Sequence, residues 1–283
     1  MKVKLLYAIL LFSTISCKQS EITSQPLEDK KLKSKTVFIE QRIDGEIVSR
    51  PVIIETSAEI DNLKSYPIVI ALHGRGGSNT NWIQPLSKFI NSGEFIGVYP
   101  QGHLNSWNLG QEPSNANDPA FISIIIDTLL SYSNVDESKI FAVGSSNGSG
   151  MVNVLGGVNK RFKAIAPIGS QLTERTEIKT NAIPLSVFQV NGGQDLTIPI
   201  EGGIKLGHPF LSASDSAKKW ATNFNCNQNI VVEETEQTIL HTYSDCDNSV
   251  VVKYLVVKGA GHNIFGDYPS LWNEVWDFFS SLD

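Results

Sequence analysis

Apolar residues along this chain fall into short unbroken runs separated by polar and glycine-rich breaks. Pro67-Ile68-Val69-Ile70-Ala71-Leu72-His73 is one run; Phe95 to Tyr99, Ile140 to Val143, Phe162 to Ile168, Pro184 to Val190 and Val250 to Val257 are others. A run that is apolar at every position suits a strand covered on both faces, as in a parallel sheet. Segments compatible with helix lie between and after them: Trp82 to Ile90, Pro119 to Tyr132, Ser149 to Val158, Ser214 to Phe224 and Pro269 to Leu282. Pro119 is tolerated there in a first turn. Strand and helix in alternation predict an α/β fold, a mostly parallel, doubly wound sheet with helices on both faces. Two β-rich runs, Thr36 to Glu40 and Ile47 to Glu55, flank an Asp44-Gly45 turn. They predict an antiparallel hairpin at the sheet edge, where Pro51 would be acceptable. The polar loop Asn108 to Asp118 is long for such a fold, and loops of that kind usually lie over a site.

The amino terminus breaks the alternation. Met1-Lys2-Val3-Lys4 is basic, Leu5 to Ile15 is apolar but short for a membrane span, and Ser16 precedes Cys17. The pattern resembles a bacterial lipoprotein signal, with cleavage before Cys17 and lipid on its thiol and new amino group; Thr14 departs from the usual leucine. An ordinary secretory signal with a chance cysteine is the alternative, and both mean export. Residues 18 to 34 are polar and aperiodic, as in a tether. The expected organisation is a signal peptide over 1–16, a tether over 17–34 and one catalytic domain over 35–283. Multiple acyl chains would hold that domain stably at a cell-envelope membrane, facing the periplasm or the outside. Composition agrees with one globular domain: 283 residues, 41% hydrophobic and 18% charged. The net charge of -6 argues against a nucleic-acid partner.

Candidate chemistry gathers where the apolar runs end. Phe141-Ala142-Val143 leads into Gly144-Ser145-Ser146-Asn147-Gly148, and a helical segment follows. Gly-x-Ser-x-Gly in a strand-to-helix turn raises Ser146 at the top of a sheet as a nucleophile. Such a serine needs a base and a carboxylate. Asp195, in Asn191-Gly192-Gly193-Gln194-Asp195, and His262, in Gly259-Ala260-Gly261-His262, each follow a buried strand. The order Ser, Asp, His is that of an α/β-hydrolase, and all three residues stand at carboxyl ends of strands, where such sheets bind ligands. The backbone N–H groups of Asn147 and of Arg75, in His73-Gly74-Arg75-Gly76-Gly77, are the expected oxyanion donors. His73 and Trp107 are expected at the substrate cleft. His73 would buttress the oxyanion loop; Trp107 would either form a wall or plug the space under a loop. Trp220, Trp272 and Trp276 fall on helical faces and are expected in the core. His103 and His208 sit in loops with no assigned chemistry, and His241 is expected in solvent. No zinc-spaced set and no phosphate loop occurs. In an exported chain Cys226 and Cys246 are expected to pair and staple an intervening hairpin; two free buried thiols are the alternative.

These strings together resemble one group. Leu72-His73-Gly74-Arg75-Gly76-Gly77-Ser78, Tyr99-Pro100-Gln101-Gly102, Ser106-Trp107-Asn108, Gly144 to Gly148, Asp195-x-x-Ile198-Pro199 with Gly202-Gly203, and Gly261-His262 are similar to the polyhydroxybutyrate depolymerase and feruloyl esterase group, carbohydrate esterase family 1-like. The likeness spans nearly all of residues 35 to 283. It implies an α/β-hydrolase fold, no cofactor, and cleavage of carboxylic esters: feruloyl or acetyl esters of polysaccharide, or polyhydroxyalkanoate-type esters. Arg75, Ile200 and Asn263-Ile264-Phe265 depart from the group's usual residues, all around the pocket. A serine peptidase of the same fold and a catalytically silent binding lipoprotein are the rival readings.

Overall fold

The computed structural model describes residues 30–61, 63–158 and 160–282. The signal segment, Cys17 and most of the tether lie outside the described residues. The fold takes in residues ahead of Lys35: Leu32 is fully buried, its N–H donates to Asn134 Oδ1 at 2.7 Å, and Asn134 Nδ2 donates back to its carbonyl at 3.1 Å.

The chain opens with the hairpin β1 (Lys35–Ile43) and β2 (Glu46–Glu55), then β3 (Tyr66–Leu72), α1 (Ile83–Asn91) and β4 (Ile96–Pro100). It continues through α2 (Asp118–Leu129), β5 (Val135–Ser145), α3 (Asn147–Val158), β6 (Ala164–Ile168) and β7 (Ser186–Gly192). A small hairpin follows, β8 (Gly203–Lys205) and β9 (His208–Phe210), then α4 (Ala213–Asn223). The last part contains β10 (Val231–Glu234), β11 (Thr238–Tyr243), β12 (Val252–Val257), α5 (Ile264–Asp267) and α6 (Leu271–Ser280). Among the described residues, ten strands form one sheet in the order β1-β2-β4-β3-β5-β6-β7-β12-β11-β10. The central run from β4 to β12 is parallel, and antiparallel strands extend it on both sides.

The unbroken apolar runs have the cause the sequence implied. Along β3, Ile68, Ile70 and Leu72 point to one face and pack with Phe121 and Ile125 of α2, Met151 and Leu155 of α3 and Trp220 of α4. Val69 and Ala71 point to the other and pack with Leu86 and Phe89 of α1 and Val275 and Phe279 of α6. Phe141 of β5 stacks on Phe279, ring centres 4.6 Å apart. Both faces are covered, so neither set of alternating positions can be polar. The start of α2 is equally local: Asn117 caps it by accepting from Ala120 N at 3.2 Å, and a proline stands in the first turn.

One local expectation fails. Pro51 does not mark an edge strand, because β1 takes the edge and β2 lies between β1 and β4. Pro51 is tolerated because pairing with β4 begins only at Val52; its carbonyl accepts from Gln101 N at 3.0 Å. The closing helix starts at Leu271, after the separate turn of α5. Cys226 and Cys246 form a disulfide that joins the region after α4 to the residues after β11, and the β10–β11 hairpin lies between them, as expected.

Candidate active site

Ser146 is the residue between β5 and α3, and its φ is 52°. A non-glycine residue in that region costs about 1–3 kcal/mol, and the surroundings impose it. Ser146 N–H donates to Ile168 O at 2.9 Å, and its carbonyl accepts from Gly150 N at 3.0 Å. The flanking glycines answer to contact. A Cβ on Gly144 would lie 2.4 Å from Gly148 O, and one on Gly148 would lie 2.2 Å from Leu72 O. Neither position can carry a side chain while helix α3 passes this close to β3 and β5.

Asp195 and His262 reach this turn from the loops after β7 and β12, neighbours in the sheet. His262 Nε2 is 2.9 Å from Ser146 Oγ, and His262 Nδ1 is 2.6 Å from Asp195 Oδ2. The Asp195 side chain is 1% exposed, and its Oδ1 accepts from the N–H groups of Thr197 and Ile198 at 2.8 and 2.9 Å. A fully engaged carboxylate holds the proton of His262 on Nδ1 and leaves Nε2 as the acceptor for the serine hydroxyl. The two loops are tied by Gln194 N–H to Ala260 O at 2.9 Å, and Gly261 N–H donates to Asp267 Oδ2 of α5 at 2.9 Å, bracing the His262 loop.

On the other side of Ser146 runs the loop after β3. A Cβ on Gly74 would meet that of Ser146 at 3.5 Å, so Arg75 follows directly beside the serine. His73 heads this loop and is buried. Gly102 N–H donates to its Nε2 at 3.0 Å, which leaves the proton on Nδ1 to be donated to Gly74 O at 2.8 Å. Burial pushes the His73 pKa down, which keeps the ring neutral. Trp107 is fully buried, with its Nε1–H on His73 O at 2.8 Å and its ring 5.2 Å from that of His73. These two residues therefore support the loop from behind. Trp107 plugs the space under the loop, one of the two places expected for it, and His73 buttresses the loop while also bordering the cleft described below.

Sequence reasoning missed the residues that complete this support. Arg50 is 2% exposed, donates twice to Gln101 O at 3.1 and 3.0 Å and once to Gln41 Oε1 at 2.7 Å, and pairs with Asp118 at 2.8 Å. Its guanidinium lies 3.6 Å from the centre of the Phe121 ring. Burial raises the Asp118 pKa, opposed by the Arg50 charge and by the N–H of Asn108, which donates to it at 2.8 Å. Gln101, held by Arg50, is itself bonded to His73 and to Asn79 N. Of the histidines without assigned chemistry, His103 bonds Ser114 at 2.9 Å and His208 bonds Glu112 at 3.0 Å. His241 is not simply solvated: it stacks on Tyr254 with ring centres 5.4 Å apart.

Two spaces open beside the serine. A cavity of about 20 Å³ touches Ser146 itself, with Ile198, Phe210 and Asn147 in its wall. A cleft of about 300 Å³ lies over Gly74 and Arg75, walled by Trp82, Phe265 and Trp272. Phe265 and Trp272 stack at 4.2 Å. Trp272 was expected in the core; it is half-buried and forms cleft wall together with Phe265 of α5. Trp220 is fully buried, as expected.

No protein-family model matches the chain. It is 28% identical over 245 residues to feruloyl esterase B of Piromyces equi, a match that covers 81% of this chain and 45% of that protein. A bifunctional acetylxylan esterase/xylanase of Neocallimastix patriciarum is 26% identical over 235 residues, covering 76% and 31% respectively. Feruloyl esterase C of Emericella nidulans is 27% identical over 176 residues, covering 59% and 63%. The chain thus spans less than two thirds of the length of these curated relatives. Among solved structures, an acetyl xylan esterase from Aspergillus awamori superposes with a TM-score of 0.60 at 16% identity, covering 86% of this chain and 99% of that one. An esterase of Thermogutta terrifontis gives 0.57 at 13% identity, covering 87% and 91%. The chain has the α/β-hydrolase fold, and its sequence is similar to those of feruloyl and acetylxylan esterases.

Proposed function

We propose that the protein is a serine-dependent carboxylic ester hydrolase that works through an acyl-enzyme on Ser146. The observation that carries the reading is the unbroken chain Ser146 Oγ–His262 Nε2 and His262 Nδ1–Asp195 Oδ2 at 2.9 and 2.6 Å. Ser146 Oγ attacks the ester carbonyl carbon while its proton passes to His262 Nε2. The backbone N–H groups of Arg75 and Asn147 hold the resulting oxyanion, and Asp195 steadies the imidazolium. The C–O bond to the alcohol then breaks, and His262 returns the proton to the departing oxygen. Water repeats the cycle, freeing the acid and restoring Ser146.

The relatives' names carry feruloyl and acetylxylan esters to this site. The aromatic cleft suits a flat ring, whether a hydroxycinnamoyl group or a pyranose face. The cavity at Ser146 has room for about one small, water-sized group. Esters of polysaccharide fit both features. Ser146→Ala is expected to lower kcat on p-nitrophenyl acetate and on methyl ferulate by at least ~10⁴-fold with the fold intact. Unchanged turnover in that variant refutes the mechanism. A panel of feruloyl, acetyl-xylan, hydroxybutyrate-oligomer and peptide substrates separates the acyl classes from amide cleavage.

The same proposal places the domain outside the cytoplasm, tethered through lipid on Cys17. The Cys226–Cys246 bond supports an oxidising compartment. Cys17→Ala is expected to move the protein from the membrane fraction to the soluble fraction and to abolish labelling by radioactive palmitate. Membrane retention without label would refute the anchor.

A further inference from the structure

The loop between Trp107 and α2 was expected to lie over a site, but no residue in it was assigned a role. Its Glu112 has a fully buried side chain. Five donors converge on this carboxylate. Oε2 accepts from the backbone N–H groups of Leu109 at 2.7 Å and Gln111 at 3.2 Å. Oε1 accepts from Arg75 Nη2 at 2.7 Å, His208 Nε2 at 3.0 Å and Asn147 Nδ2 at 3.2 Å. Burial alone would raise its pKa, but these hydrogen bonds more than offset that and hold it below the usual carboxylate range.

The partners on Oε1 are what make the arrangement informative. Arg75 and Asn147 are the two residues whose backbone N–H groups are proposed to hold the oxyanion. They belong to separate segments, the loop after β3 and the first turn of α3. Glu112 comes from a third segment and ties both side chains to one atom. Asn147 is fixed further by Trp107, whose backbone N–H donates to Asn147 Oδ1 at 2.7 Å and whose carbonyl accepts from Asn147 Nδ2 at 2.9 Å. His208, on β9, extends the same clamp to the small hairpin whose Phe210 walls the cavity at Ser146. A buried carboxylate with five donors is costly to assemble, and its geometry is held by groups on four segments.

We infer that Glu112 is a positioning residue that sets the spacing between the two halves of the oxyanion hole. It touches no reacting atom. It acts through Arg75 and Asn147, and its effect is on the transition state: donors aimed at the oxyanion act only when the charge develops, and a displacement of about 1 Å costs up to about a hundredfold. The inference rests on Ser146 being the nucleophile and on these two donors.

The test compares wild type with Glu112→Ala and Glu112→Gln on p-nitrophenyl acetate, alongside labelling of Ser146 by a fluorophosphonate. Glutamine keeps the size but turns an N–H toward at least one of the five donors. In either folded variant kcat is expected to fall 10- to 100-fold, in round numbers, while KM changes by less than about threefold. The inhibition constant of an oxyanion-mimicking boronic acid is expected to weaken in step with kcat/KM, which a purely structural role would not produce. A loss confined to KM, or kcat within about twofold of wild type in a folded Glu112→Gln, overturns the inference. Collapse of both variants overturns it too, in favour of a role in folding. If wild type neither turns over esters nor labels at Ser146, the functional reading itself fails, and that result is distinct from any of these.

Discussion

The two flanks of Ser146 are built on different plans. On the base flank, Asp195 and His262 arrive from adjacent strands; two backbone N–H groups hold Asp195, and the N–H of Gly261, next to His262, donates to Asp267. The His262 side chain is 27% exposed, and its two nitrogens meet only the serine and the aspartate. On the oxyanion flank, Arg50, His73, Gln101, Trp107, Glu112, Asp118 and Asn147 come from distant parts of the chain and interlock through side chains, nearly all buried. The difference suits the work proposed for each flank. A proton carrier must accept and release, so it needs few partners and some access to water. An oxyanion hole must present dipoles that do not reorganise as charge develops, and only dense burial holds a backbone loop that still.

The contrast can be broken by experiment, the largest effect being on the base flank. Asp195→Asn is expected to lower kcat by about 10⁴-fold, since the amide reverses the favoured tautomer of His262, while Tm moves by only a few degrees. Stopped-flow or steady-state ester turnover, with calorimetry beside it, reads both. If the variant unfolds, the base flank is as much a structural element as the other. On the oxyanion flank the first loss should be stability. Arg50→Met leaves Asp118 as a buried charge without its partner, and the unfolding free energy is expected to drop by about 3–5 kcal/mol in urea titration. Adding Asp118→Leu should restore part of that. No change in the midpoint for Arg50→Met would show that the buried pair is not what holds Gln101 and the loop above it.

The base flank was legible in the sequence and the oxyanion flank largely was not. Asp195 and His262 could be found because the apolar runs before them predict strands, and the sheet brings strand ends together whatever the side chains do. The glycines of the elbow could be found because one residue type alone meets their contacts. Glu112 carried no signal. It sits in a polar loop beside Gly110 and Gln111, and nothing local separates a solvated glutamate from one with five donors. Arg50 read as an ordinary strand residue for the same reason. Trp107 was placed near the site with wall and plug both open, since whether a tryptophan lines or plugs a cleft depends on where its N–H finds a partner. The β8–β9 hairpin escaped because strands of three residues are too short to show alternation. Pro51 misled because edge and interior depend on which strand pairs outside it.

What the chain determined by itself were the properties set by near neighbours: the doubly covered strands from their apolar runs, the helix starts from their caps and prolines, and the strained serine from its flanking glycines. The order Ser146, Asp195, His262 belongs with these, because strand ends in a parallel sheet share one edge. Tertiary structure alone decided which charged residues are buried together. That choice depends on burial and on partners tens of residues apart, and the cost of desolvating a charge is repaid only where all of its partners arrive at once.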